Sequence, residues 1–141
     1  MKKLIVLSAI LSIGFVSCTK DSTSCAGQTK NLALENATVI AAGELFSPSK
    51  TNSGLAKVYL QKNGKYVLGL EKMNLNVGVS MFIYLSSSKT ISPQALKIFS
   101  VNNLSGDVFH VLPADIDAAL LKYLIIQTEL SEEVIATAEL S

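Results

Sequence analysis

Asn63-Gly64 sits between two stretches whose apolar residues recur at every second position, and this arrangement constrains the fold more than any other in the chain. Before it, Ala56, Val58 and Leu60 alternate with Lys57, Tyr59 and Gln61. After it, Tyr66, Leu68 and Leu70 alternate with Val67, Gly69 and Glu71. Successive side chains of a strand point to opposite faces, so a period of two sets one group against a core and turns the other away. Asn and Gly both tolerate positive φ, which both central positions of a type I′ turn require. The spacing predicts a β-hairpin turning on Asn63-Gly64 through a type I′ turn.

The rest of the domain reads the same way. Val79 to Leu85 (Val-Ser-Met-Phe-Ile-Tyr-Leu) is apolar on both faces, which predicts a central strand covered on each side. Further strands are expected over Thr38–Phe46, Leu96–Val101, Asp107–Leu112, Tyr123–Thr128 and Glu133–Leu140, with 102–106 as a polar link. Pro113-Ala114-Asp115 ahead of Ile116–Leu121 allows at most one short helix near 114–121, with Asp115 close to its N-terminus. Short, evenly spaced strands imply an all-β domain, an antiparallel β-sandwich or flattened barrel of about seven to nine strands.

Residues 1–17 have the make-up of an export signal. Met1-Lys2-Lys3 is a short basic start, and the thirteen residues Leu4–Val16 carry no charge. A helix needs about 20 apolar residues to span a bilayer, whereas the apolar part of a secretory signal takes about 7–15. The sequence Phe15-Val16-Ser17-Cys18 resembles the bacterial lipobox, with Phe15 where Leu is usual. Cleavage before Cys18 would make it the first mature residue, with lipid on its thiol. Each buried CH₂ adds about 0.8 kcal/mol of membrane affinity, so several acyl chains such as palmitate hold firmly. A plain secretory signal is the competing expectation. Thr19 is not the Asp that retains many Gram-negative lipoproteins in the inner membrane, which favours the outer membrane and leaves the leaflet open. Residues 18–31, small and polar, are expected to form a flexible tether, and residues 32–141 the domain.

Loss of 1–17 leaves 124 residues, enough for one domain with a real core and no disulfide staples. Cys25 then stands alone in the tether. Ten lysines face eleven carboxylates and there is no Arg, so bidentate phosphate clamps are missing and nucleic acid is excluded as an expected partner. The expected partners are the membrane surface, through the lipid on Cys18, and an envelope protein that the sequence does not identify.

From Gly43 to Leu140 the chain resembles the DM-thirteen domain, a small β-rich module. The motifs are Gly43-Glu44-Leu45-Phe46, Ser53-Gly54-Leu55-Ala56-Lys57-Val58, Val77-Gly78 through Leu85, Leu104-Ser105-Gly106, Leu112-Pro113 and Ala138-Glu139-Leu140, in the family's order. The resemblance implies a β-rich fold and the electron-transfer role proposed for the family, which rests on a Trp-Cys pair near the C-terminus. Counted back from Ala138-Glu139-Leu140 without gaps, that pair falls on Gln127-Thr128, and the chain has no Trp and no Cys after Cys25. A threonine neither cycles as a thiol nor ligates a haem.

Other candidates for chemistry are few. His110 is the one histidine, and Asp107, three residues before it, should point to the opposite face of a strand. Asp115 and Asp117 have calcium-like spacing without the further oxygen donors such a loop needs, so capping of the short helix is expected of them. Glu132-Glu133 is expected to be a solvated pair at a turn. Tyr59, Tyr66, Tyr84 and Tyr123 all fall on predicted strands, where packing at strand ends with the hydroxyl in water is favoured over an exposed recognition surface. No catalytic residue, cofactor or metal site is expected. The function expected is a lipid-anchored binding or interaction module of the cell envelope without catalysis, with an electron-transfer accessory lipoprotein as the alternative.

Overall fold

Residues 34–141 are described in the computed structural model. The expected signal and tether, with Cys18 and Cys25, lie outside the described residues. Eight strands follow in order: β1 Thr38–Glu44, β2 Ser53–Leu60, β3 Tyr66–Leu75, β4 Met81–Ser86, β5 Leu96–Val101, β6 Leu104–Val111, β7 Tyr123–Thr128 and β8 Val134–Glu139. They form two antiparallel sheets, sheet A in the order β1-β2-β3-β6 and sheet B in the order β5-β4-β7-β8. The all-β expectation holds, with a sandwich-like arrangement of the two sheets.

The alternation seen in the sequence builds the core. Val58 of β2, Leu68 and Leu70 of β3, Ile83 and Leu85 of β4, and Leu124 and Ile126 of β7 are all fully buried. Burying one such side chain is worth about 1.5–3 kcal/mol, so these central strands hold the two sheets together. The sheets are also stitched along one side. Phe46, just past β1, bridges Thr137 of β8, and Ala42 exchanges backbone hydrogen bonds of 3.1 Å with Ser141. Gly43 makes the approach possible: a Cβ there would come within 2.1 Å of the Glu139 carbonyl oxygen. On the other side β5 and β6 are edge strands, and Phe99 stacks on His110 across the gap, with ring centres 5.1 Å apart.

Several details differ from the sequence expectation. The β2–β3 hairpin is present, but Gly64 takes positive φ (81°) while Asn63 does not. The Gly64 N–H bonds the Gln61 carbonyl, Gln61 N–H bonds the Lys65 carbonyl, and Asn63 Oδ1 accepts from Lys65 N–H. The loop is thus three residues closed by a glycine bulge, the next commonest hairpin connection, rather than a type I′ turn. Strand β3 also runs past Leu70 through a bulge at Glu71-Lys72, where Lys72 has φ 50°. Strand β6 begins at Leu104, not Asp107, because Leu104, Ser105 and Gly106 pair with Leu75, Asn74 and Met73. Strand β4 is central but not covered on both sides: Met81, Ile83 and Leu85 are buried, whereas Phe82 and Tyr84 are only half-buried. The expected helix shrinks to one 3₁₀ turn, Ala118–Leu120, and its cap is Asp117, whose Oδ1 accepts the Ala119 N–H at 2.9 Å. Asp115 lies in the preceding turn.

Candidate functional site

Three places on the sandwich gather polar or aromatic side chains. The first is the outer face of sheet A. Lys57 and Tyr59 are two apart on β2 and share that face, and the regular pairing of Leu55 with Glu71 and of Lys57 with Gly69 puts Glu71 of β3 on it too. Lys57 Nζ lies 2.7 Å from Glu71 Oε2, and Tyr59 Oη donates to Glu71 Oε1. Burial, the hydrogen bond to Glu71 and the nearby carboxylates push the Tyr59 phenol well above its ordinary pKa. Burial acts to raise Glu71, but the hydrogen bonds from Lys57 and Tyr59 and the lysine charge outweigh it, and the carboxyl ends below its ordinary value. The rings of Tyr59 and Phe109 lie at 6.2 Å, and Gly69 beneath them leaves the space a Cβ would fill. Leu34 and Ala37 pack over Tyr59 and Val67. The three polar groups are bonded to one another under this cover, so the cluster fastens the face of the sheet.

The second place is a cleft of about 390 Å³ at one end of the sandwich, lined by Ser47, Asn52, Val77 and Thr128 among others. Thr128 is 5% exposed. Its Oγ1 accepts from Glu133 N–H at 3.0 Å and shares a 2.5 Å hydrogen bond with Ser131 Oγ. The position that the family resemblance equates with a reactive cysteine is here spent on holding the β7–β8 hairpin. Ser47 is similarly engaged, donating to the Ile135 carbonyl at 2.7 Å and accepting from Asn52 Nδ2 at 3.2 Å.

The third place is the outer face of sheet B. Pairing aligns Lys97, Tyr84, Ile125, Thr137 and Phe46 in one row across the sheet. A second row holds Phe82 and Gln127, and a third Tyr123 and Glu139. Phe82 and Tyr84 meet edge to face at 6.2 Å, and Lys97 Nζ lies 4.0 Å from the centre of the Phe82 ring. Phe46 is 73% exposed. A hollow of about 390 Å³ opens between Phe46 and Tyr123, with Thr137, Lys89 and Glu139 around it. Rigid paired strands thus present four aromatic rings outward on one face.

The residues singled out in the sequence are dispersed over the fold. Asp107 and His110 do fall on opposite faces: Asp107 Oδ1 accepts from Lys72 N–H at 2.8 Å, while His110 turns toward Phe99. Burial lowers the His110 pKa. Glu132 and Glu133 are exposed beside the β7–β8 turn, with Glu132 at φ 53°. Of the tyrosines, Tyr59 is buried with its hydroxyl on Glu71, Tyr66 packs against the core, and Tyr84 and Tyr123 stand on the outer face of sheet B. Phe46, Phe82, Lys89 and Glu71 were not picked out by sequence reasoning. The period-two phase of β4 carried the signal for Phe82, which shares the parity of Tyr84. Among the described residues, no group of three His, Cys, Asp or Glu side chains converges as a metal site, and no helix is long and apolar enough to cross a membrane. No family model, curated protein or solved structure matches this chain.

Proposed function

We propose that this chain is a non-catalytic binding module, tethered to the surface of a bacterial membrane by lipid on Cys18, and that it binds through the outer face of sheet B. The observation that carries the binding role is the set of aromatic side chains on one face, Phe46, Tyr123, Tyr84 and Phe82, held outward on hydrogen-bonded strands. Such a surface loses little conformational freedom when a ligand settles on it, because aromatic side chains have few rotamers and the strands beneath are fixed. The lipobox-like Phe15-Val16-Ser17-Cys18 supports the tether. In this proposal the chain is a diverged DM-thirteen-like domain that kept the β-rich fold. The family's electron-transfer role would need a thiol or a ligand where Thr128 stands, and the Thr128 hydroxyl is committed to its own hairpin.

Two measurements test this. Cells expressing the chain are fed an alkyne-bearing palmitate. The protein should take the label and sediment with membranes, and Cys18→Ala should abolish both. Label retained in Cys18→Ala would overturn the anchor. An absorption spectrum of protein purified from the envelope should show no visible band; a haem or flavin band would overturn the non-catalytic assignment.

A further inference from the structure

Taking the outer face of sheet B as the binding surface, we propose that the hollow between Phe46 and Tyr123 holds a pyranose ring of a neutral glycan, whose chain runs on toward Tyr84. The proposal deepens the function given above and rests on it.

A sugar ring has two kinds of surface. Its C–H groups carry slight positive charge and lie well on the negative face of an aromatic ring. Its hydroxyls each donate and accept hydrogen bonds. The hollow offers both matches. Phe46 and Tyr123 flank it, and Thr137, paired with Phe46 in the sheet, supplies a hydroxyl between them. Lys89 and Glu139 add a donor and an acceptor. Lys89 Nζ lies 3.6 Å from Glu139 Oε2, and their side chains are 74% and 62% exposed, so both remain within reach of a ligand. Tyr123 Oη donates to Glu139 Oε1 at 3.3 Å, and Lys89 sits 6.0 Å from the Tyr123 ring centre.

Charge narrows the choice of occupant. The ammonium and carboxylate cancel locally, so the rim of the hollow favours neither anions nor cations. An apolar side chain seated in the hollow would desolvate the Lys89–Glu139 pair and return no hydrogen bonds, which is costly. A neutral polyol satisfies both charges and covers the rings. Length points the same way. Thr137, Ile125 and Tyr84 succeed Phe46 on neighbouring strands, and strands lie about 4.8 Å apart, so Tyr84 stands about 14 Å from Phe46. Phe82, edge-on to Tyr84 under Lys97, extends this second platform. Two aromatic platforms on one straight row suit an oligosaccharide better than a single sugar.

The test is calorimetric titration of the purified full chain with cellohexaose, maltohexaose, xylohexaose, mannohexaose and chitohexaose in turn. At least one should bind. Phe46→Ala, at an exposed position that the fold tolerates, should weaken that binding about tenfold or more. Thr137→Val should weaken it too, and Lys62→Ala, in the hairpin of the opposite sheet, should leave it unchanged. Absence of binding by all five sugars, or undiminished binding by Phe46→Ala and Thr137→Val, would overturn the glycan site. So would tighter binding of oligogalacturonate than of any neutral chain. If no sugar binds while the Cys18-dependent palmitate label persists, the glycan assignment alone falls. A haem or flavin band on the protein would instead remove the binding-module assignment beneath it.

Discussion

Two residues show how single atoms hold this sandwich. Gly43 lies where β1 passes closest to β8, and an added Cβ would sit 2.1 Å from the Glu139 carbonyl oxygen. That atom belongs to backbone paired with β7, so it has little freedom to retreat. Gly43→Ala should therefore cost about 1–3 kcal/mol or more as overpacking, read as a drop in the urea midpoint. An unchanged midpoint would mean that the two sheets can part at this seam without loss. Thr128 is held by a different force. Its hydroxyl meets the Glu133 N–H and Ser131 Oγ from a position only 5% exposed. Thr128→Val keeps the shape but strands the Glu133 N–H, which should cost about 1–3 kcal/mol, whereas Thr128→Ser should stay close to the parent. Equal stability of the Val and Ser variants would show that the hairpin does not depend on the hydroxyl.

Strand β3 shows what a periodic sequence can and cannot reveal. Up to Leu70 its even residues face the core; beyond the bulge at Glu71-Lys72 the odd ones do, Met73 at 3% exposure and Leu75 at 0%. One inserted residue reverses the face of everything after it. The hairpin and the first half of β3 were legible because their alternation is unbroken, and β5 and β7 begin and end where their apolar runs do. The second half of β3 and the start of β6 were not, because the phase slips at Lys72 and because Leu104-Ser105-Gly106 looks like a loop until it pairs with 73–75. The aromatic face was half legible. Tyr84 was singled out, and Phe82 shares its parity, but β4 is apolar on both sides, and nothing within one strand says which side a second sheet will cover. Phe46 was read as a strand end and a motif residue but not as part of this face, since its partner Thr137 comes from the far end of the domain. The bulge itself can be tested. Lys72 adopts φ 50°, which costs a non-glycine residue roughly 1–2 kcal/mol, so Lys72→Gly should stabilise by up to about 1 kcal/mol after the entropy of the freer unfolded chain is counted. Deletion of Lys72 should remove the bulge but leave Met73 and Leu75 two and four places past Leu70, so both should stay in the core, and the loss should be well under the several kcal/mol that exposing them would cost. A deletion variant destabilised by several kcal/mol would show that Lys72 is not simply an inserted residue in this ladder.

At the scale of the whole molecule the sandwich is fastened unevenly, and that unevenness should govern its response to acid. On one side β1 and β8 are joined by the Phe46–Thr137 bridge and the bonds between Ala42 and Ser141. On the other, the edge strands β5 and β6 meet through the stack of Phe99 on His110. Burial holds the His110 pKa below its ordinary 6.5, so the folded state prefers the neutral ring. The unfolded chain takes up the proton first as pH falls. Stability contributed by the neutral ring is therefore complete above 6.5 and declines as pH drops through 6.5 toward the lower native value. Glu71 adds a second, separate loss. Its native pKa lies below the ordinary 4.5, so its contribution is present above 4.5 and disappears as pH falls further, through the native value. Urea midpoints measured across this range should thus fall in two steps. His110→Phe keeps an aromatic partner for Phe99 but cannot be protonated, and should remove the first step while leaving the second. Amide exchange should show the same asymmetry, with β5 and β6 losing protection before β1 and β8 at about pH 5. A first step that survives in His110→Phe, or protection lost first at β1 and β8, would show that acid enters this sandwich by another side.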